Sequence, residues 1–86
     1  MIAGVFHEIG HIMQGSLPYE TDEQKIYAEY DAEAYALRMM RRYYPKKDYN
    51  EVINYYRKKL DSPNFRKHYS IHYKAFKQIK EYNHAS

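Results

Sequence analysis

The residues that could do chemistry lie near the start of the chain, in the run His7-Glu8-Ile9-Gly10-His11. Two histidines four positions apart share one face of a helix, so their imidazoles can converge on one metal ion at about 2.0–2.1 Å. Glu8 lies at the rim of that face, where a carboxylate can accept a proton from a metal-activated water molecule. The chain has no cysteine, so the pattern predicts zinc held by His, Asp or Glu. The alternative is a helix with two core histidines satisfied by hydrogen bonds, which leaves Glu8 unexplained.

Two helices must position these residues. The first is predicted over about Ala3 to Gln14, because apolar residues surround the motif and a glycine and a proline follow it. The second is predicted to begin after Thr21, which forms a capping box with Gln24, and to continue without interruption to about Tyr43. Only a short loop joins them.

The rest of the chain predicts two more helices. Asp48 with Glu51 resembles another capped start, which gives a third helix over about residues 49–60. Ser62 is the expected N-cap of a fourth helix, which has proline at its first position and covers about residues 63–82. The sequence predicts no strand with confidence, so the expected fold is all-α, a compact bundle of about four helices.

A third metal ligand is expected from the second helix. Glu29 and Glu33 are four residues apart and share a face with Ala32 and Ala36, whose small side chains allow a close approach to the first helix. Asp31 is about 200° from Glu29 around the helix, so it is expected on the solvated side. A catalytic zinc takes three protein ligands and leaves one position for water. The alternative for both glutamates is a solvated helix face.

The sequence resembles the glutamate-zincin metallopeptidases, and more narrowly the small bacterial and phage group of the ImmA/IrrE type. The resemblance rests on the HExxH run at residues 7–11 and on a second motif, Glu29-Tyr30-Asp31-Ala32-Glu33-Ala34-Tyr35-Ala36, followed by Met39-Met40. It implies zinc bound by His7, His11 and Glu29, with Glu8 as general base for peptide-bond hydrolysis. It also implies that Glu33 supports a ligand histidine.

The chain departs from that family at two points. Glu33 stands where the family usually has the shorter Asp or Asn, so the two glutamates could exchange the roles of ligand and supporting residue. Relatives also place a small sheet before the motif helix, whereas this sequence begins six residues before His7. We therefore expect a single zincin-like domain over residues 1–86, without a confident sheet, that is either a fragment or a minimal form.

A second histidine pair, His68 and His72, repeats the four-residue spacing, with Tyr69 where the glutamate would be. Zinc peptidases need a His, Tyr or Arg to stabilise the developing oxyanion, so His68, Tyr69, His72 and Tyr73 are candidates for that role. The alternative is an exposed stripe on a helix.

The charge of the chain is unevenly distributed. Residues 1–37 contain one base and seven acids, a net charge of −6, and residues 38–86 contain thirteen bases and four acids, a net charge of +9. No apolar run approaches the roughly 20 residues that span a bilayer, and the start lacks the features of a signal peptide, so we expect a cytoplasmic protein with no membrane partner.

These observations predict a zinc metallopeptidase that acts on a protein or peptide. Two alternatives stay open. One is a zinc-binding regulatory or structural domain whose catalytic ability is impaired. The other, less favoured, is a basic helical domain that binds nucleic acid through a run of bases with interleaved tyrosines, at Arg38, Arg41, Arg42, Lys46 and Lys47 with Tyr43 and Tyr44.

Overall fold

The computed structural model describes residues 2–83, which fold into five α-helices and one 3₁₀ turn. The helices are α1 (Ile2–Gln14), α2 (Asp22–Tyr43), α3 (Lys46–Leu60), α4 (Pro63–His68) and α5 (Ser70–Phe76), and the 3₁₀ turn is Lys80–Tyr82. No strand occurs between residues 2 and 83, so the all-α prediction is confirmed. Within the same range, no helix is both long enough and apolar enough to cross a bilayer.

The start of α2 is the capping box that the sequence predicts. The hydroxyl of Thr21 accepts a hydrogen bond from the Gln24 backbone N–H at 3.1 Å, and the Gln24 side chain accepts one from the Thr21 N–H at 3.0 Å. These reciprocal bonds satisfy two backbone donors at the helix end. The other end of α2 is also as expected, since Tyr44 takes an extended conformation immediately before Pro45.

The predicted start of α3 is wrong by three residues. The helix begins at Lys46 instead of Tyr49, with Pro45 as its N-cap residue. The Pro45 carbonyl accepts hydrogen bonds from the backbone N–H groups of Asp48 and Tyr49, so the first turn is already closed before Asp48 could cap it. Asp48 instead lies inside the first turn, where the helix dipole favours a negative charge.

The predicted fourth helix begins at Pro63, with Ser62 as its N-cap residue, as expected. Its predicted continuation to about residue 82 is wrong, because the chain breaks at Tyr69 and again after Phe76. Tyr69 leaves the helical region, with φ −130° and ψ 52°. A straight helix would separate Phe65 from Tyr82 by roughly 25 Å. In the structure both rings contact Phe76, at centroid distances of 6.4 and 6.0 Å. The break therefore lets both ends of this segment bury aromatic area in one core.

Helices α1 and α2 approach each other closely at Gly10, which is buried. A Cβ at this position would lie 2.9 Å from Ala32 Cα and 3.1 Å from the Ala32 carbonyl oxygen. Ala32 and Ala36 are buried, as the small-residue pattern of the second helix predicts, and Ala28 is buried as well. Glycine on α1 and alanine on α2 therefore allow a short separation between the two helices.

The apolar residues around the first motif are not all buried. Val5 is 54% exposed and Ile12 is 76% exposed, whereas Ala3 is buried in the core. The reason is geometric: α1 packs on one side against α2, so the opposite side of the helix faces solvent.

We expect Gly10→Ala to destabilise the fold and Gly4→Ala to stabilise it. An added methyl at position 10 would press on backbone atoms, which move less easily than a side chain, at a cost of about 1–3 kcal/mol. A Cβ at Gly4, in the same helix, meets nothing within 4 Å. Alanine there should therefore add about 0.5–1 kcal/mol of stability through helix propensity alone. Urea unfolding curves measure both changes, and equal stability of the two variants would contradict the close approach.

Candidate metal centre

Three side chains from α1 and α2 converge on one point. His7 Nε2 lies 3.0 Å from His11 Nε2 and 3.1 Å from Glu29 Oε2, and His11 Nε2 lies 3.2 Å from the same carboxylate oxygen. The group could hold a metal ion, since these ligand atoms form a nearly equilateral triangle. The two histidines are on successive turns of α1, and Glu29 reaches them from α2, whose buried face is packed against that helix.

The triangle has the size that a small metal ion requires. Ligand atoms bound at about 2.0–2.1 Å in tetrahedral geometry are about 3.3–3.4 Å apart. The three observed separations of 3.0 to 3.2 Å are within a few tenths of an ångström of that value. Two imidazole nitrogens and one carboxylate oxygen can therefore act as three ligands without rearrangement of the helices.

The hydrogen bonds behind His7 fix its tautomer. Its Nδ1 lies 2.7 Å from Glu33 Oε1, and a carboxylate oxygen can only accept, so Nδ1 carries the proton. The lone pair of the neutral ring is then on Nε2, which faces the triangle. Glu33 is fully buried and holds His7 in this orientation, as expected for a residue that supports a metal ligand.

Gln14 holds the ring of His11 in a similar way. The sequence patterns did not predict this role. The Gln14 amide nitrogen donates to the Ala28 carbonyl at 2.7 Å and to Asp31 at 3.1 Å, so its Oε1 is turned to His11 Nδ1 at 3.0 Å. Asp31, which we expected on the solvated side, is half-buried and accepts this hydrogen bond from the end of α1. The spacing could have indicated the contact between Gln14 and His11, since Gln14 is three residues beyond His11 on the same helix.

The triangle brings together three acceptors with no proton between them when both rings are neutral. Burial disfavours a charged His7, but hydrogen bonds and charge from Glu29 and Glu33 outweigh it and raise the pKa of His7 from 6.5 to about 9. Burial would also raise the pKa of Glu29, but hydrogen bonds from His7 and His72 hold that pKa well below its usual range. The site thus attracts a cation, which is a proton on His7 when no metal is bound.

The supporting residue Glu33 is held in turn by Tyr82, which belongs to the 3₁₀ turn, the last element of the described chain. The Tyr82 hydroxyl donates to Glu33 Oε2, and both side chains are buried. Burial and the neighbouring carboxylate raise the pKa of Tyr82 well above its usual range, so the hydroxyl stays protonated. Tyr82 is 49 residues from Glu33, and no sequence pattern marks this contact.

Glu8 is exposed and lines a cavity of about 370 Å³ that also reaches His7 and Glu29. It takes no part in the ligand triangle and is available from the solvent side. The role of Glu8 as a proton acceptor stays a prediction from the motif.

Of the four candidates in the second half of the chain, two reach this cavity and two do not. His72 and Tyr69 line it, and His72 Nε2 lies 3.3 Å from Glu29 Oε2. His68 is exposed outside the cavity lining, and Tyr73 faces another depression, where its hydroxyl accepts a hydrogen bond from the Lys77 ammonium. The break at Tyr69 separates the pair, since His68 ends α4 and His72 belongs to α5.

Tyr19 is a further site residue that the sequence patterns did not predict. Its hydroxyl donates to Glu29 Oε1 at 3.2 Å, and its ring meets the ring of His11 edge-on at 6.5 Å. It belongs to the loop between α1 and α2, so only the path of that loop brings it to the metal centre.

The run of bases predicted as an alternative binding surface lies at the junction of α2 and α3. Arg41, Arg42, Lys46 and Lys47 are exposed there, and the Arg42 guanidinium lies 5.5 Å from the centre of the Tyr43 ring. Binding of nucleic acid at this surface stays a prediction from the sequence.

Comparisons with protein-family models, with curated proteins and with solved structures found no match to this chain. Any function assigned to the chain therefore rests on the geometry of the metal centre and its cavity.

Metal affinity should fall as the pH is lowered below 9. A metal ion must displace the proton of His7, so we expect about a tenfold loss of apparent affinity per pH unit from this group, with one proton released per ion near pH 8. Calorimetric titration in two buffers of different ionisation enthalpy measures the release. Glu33→Gln removes one of the charges that raise the pKa of His7, so it should flatten this dependence. Binding without proton release at pH 8 would contradict the prediction.

Tyr82→Phe should weaken both the fold and the metal centre. The change leaves a buried carboxylate oxygen without its donor, which costs about 1–3 kcal/mol of stability. Glu33 then holds His7 less firmly, so we expect metal affinity to fall by up to about tenfold. Loss of a residue that contacts a metal ligand directly typically lowers metal affinity by about 10- to 100-fold. Urea unfolding and metal titration measure the two effects. Tyr43→Phe, at an exposed ring, should change neither.

Proposed function

We propose that this chain is a zinc-dependent peptidase in which His7, His11 and Glu29 bind the zinc ion. The donor set supports zinc, because two imidazole nitrogens and one carboxylate oxygen are a common set of three ligands in catalytic zinc sites. Softer metals prefer sulfur ligands, and the chain has no cysteine. Glu29 is the preferred third ligand over Glu33, since Glu33 is engaged with His7 Nδ1 and the Tyr82 hydroxyl.

The observation that carries the proposal is the open cavity beside the ligand triangle, with Glu8 on its wall. A structural zinc site is closed by four protein ligands, whereas a catalytic one keeps a position for water and substrate. Here three protein ligands converge, and two of them, His7 and Glu29, line the cavity. This favours catalysis over the alternative of a regulatory or structural zinc domain.

In the proposed reaction, zinc supplies Lewis acidity, which polarises the scissile carbonyl and makes water easier to deprotonate. Glu8 accepts the proton as the water oxygen forms a bond to the carbonyl carbon. Glu8 then returns that proton to the amine when the carbon–nitrogen bond breaks. Its exposed position in the cavity allows it to exchange protons with both groups, whereas the buried Glu33 cannot reach them.

His72 and Tyr69 are the side chains proposed to stabilise the oxyanion. Both line the cavity, and the edge of one ring meets the other at a centroid distance of 6.3 Å. The side chain of His72 is 41% exposed, so its ring is open to a substrate in the cavity. A hydrogen-bond donor at this place would stabilise charge that develops only in the transition state. His68 and Tyr73 are not proposed for this role, because neither lines the cavity.

Binding of the peptide backbone is expected to be weak. Residues 2–83 contain no strand whose edge could pair with an extended substrate. The affinity must therefore come from side chains in the cavity, and we expect slow hydrolysis of generic substrates such as casein.

Two neutral replacements separate catalysis from metal binding. Glu8→Gln should keep zinc but lose hydrolysis by about 10² to 10⁴, since an amide cannot accept the proton. Glu29→Gln should instead weaken zinc binding, because an amide oxygen is a poorer ligand than a carboxylate. Glu33→Gln should lose less zinc than Glu29→Gln, and Glu51→Gln, at an exposed site on α3, should lose neither property.

Elemental analysis, chelator-dependent melting curves and hydrolysis of a peptide library measure these outcomes. Full activity of Glu8→Gln would rule out the hydrolytic mechanism even with zinc in place. Greater zinc loss in Glu33→Gln than in Glu29→Gln would exchange the roles of the two glutamates. A melting curve unaffected by chelator, with no metal in the purified chain, would exclude the zinc site.

A further inference from the structure

One wall of the cavity is aromatic. It is built by residues from α3, α4 and α5, together with the residue that joins the last two helices, namely Tyr55, Tyr56, Phe65, Tyr69 and Phe76. The rings pack against one another, with Tyr56 edge-on to Phe76 at 5.2 Å and Phe65 stacked on Tyr69 at 5.6 Å. Such a wall offers a large ring or aliphatic group a surface on which it is removed from water.

One lysine, Lys59, lines the same cavity. Its ammonium group lies 5.6 Å from the centre of the Tyr55 ring and 5.9 Å from that of Phe65. These contacts hold the charge against the aromatic wall, because a cation is attracted to the face of a ring. A ligand that fills the apolar part of the cavity would thus find a positive charge beside it.

A second part of the cavity has different chemistry. His7, Glu8, Glu29 and His72 line it, so the reacting groups and the aromatic wall face one shared space. A volume of about 370 Å³ is near the lower end for ligand sites, roughly 300–1,000 Å³. It suits one large side chain with its adjoining charged group better than a long peptide segment.

We propose that this cavity binds a peptide residue with a large aromatic or aliphatic side chain that lies next to a carboxylate, with the carboxylate paired to Lys59. The carboxylate has two sources, the C-terminus of a peptide or the side chain of a neighbouring acidic residue. The proposal names the substrate class of the peptidase proposed above, and its catalytic meaning rests on that function. Binding itself does not require hydrolysis.

Four short peptides test the binding specificity. Gly-Gly-Phe with a free carboxylate, its C-terminal amide, and Gly-Gly-Phe-Glu-amide are compared with Gly-Gly-Ala, which has a carboxylate but no ring. Dissociation constants are measured by calorimetry for the chain with and without zinc, because the zinc-free arm removes direct binding of a carboxylate to the metal. We expect the Phe carboxylate to bind roughly five- to tenfold more tightly than its amide in both arms.

Lys59→Met and Lys58→Met form a matched pair. Lys58 is exposed on the same helix and does not line the cavity, so its replacement should leave the preference unchanged. Lys59→Met should abolish the preference for a carboxylate. Lys59→Glu should reverse it, so that Gly-Gly-Phe-Lys-amide binds more tightly than Gly-Gly-Phe-Glu-amide.

Each outcome decides the proposal. Preference for the free carboxylate of Gly-Gly-Phe assigns the charge to a chain terminus, and preference for Gly-Gly-Phe-Glu-amide assigns it to an acidic side chain. Equal binding of Gly-Gly-Phe, its amide and Gly-Gly-Phe-Glu-amide, equal binding of the Phe and Ala peptides, or a preference that survives Lys59→Met would overturn it. Selective binding without hydrolysis would refute the proposed peptidase and leave this site standing. Hydrolysis without selective binding would support the peptidase and refute the proposed binding site.

Discussion

The candidate metal centre depends on one electrostatic constraint, the meeting of His7 Nε2, His11 Nε2 and a Glu29 carboxylate oxygen within 3.0 to 3.2 Å. Three acceptors at such distances repel one another unless a cation lies among them. The pKa of about 9 for His7 shows that a proton meets this need in the metal-free chain. A metal ion of suitable size meets it with all three atoms at once.

Close helix packing brings the three atoms together. Gly10 lies between the two histidines on α1, and its missing side chain allows contact with the backbone of Ala32 on α2. A wider separation would carry Glu29 away from both rings. The same packing lets Glu33 reach His7 Nδ1, so one interface between two helices determines both the ligands and a supporting hydrogen bond.

The last third of the described chain adds contacts to the two glutamates of the candidate metal centre. The break at Tyr69 turns the chain so that Tyr82 donates to Glu33 and His72 approaches Glu29. The same turn places Phe76 between the ring of His7 and the rings of the core. Stability and site geometry are therefore coupled, because the aromatic side chains that bury the core also form a wall of the cavity.

The sequence alone determined what local periodicity and capping encode. These include the all-α fold class, the bounds of α2 and the position of His7 and His11 one turn apart on the same face of α1. Equivalent short-range signals failed at two places. At Asp48 the Pro45 carbonyl had already closed the first turn of the helix. Along the segment after Pro63 the breaks depended on burial of distant rings. Only the tertiary structure decided that Gln14 and Tyr82 support the centre and that His72, but not His68, faces it. These contacts depend on the paths of the loops and on the helix breaks. Residue spacing within a single helix does not specify those paths.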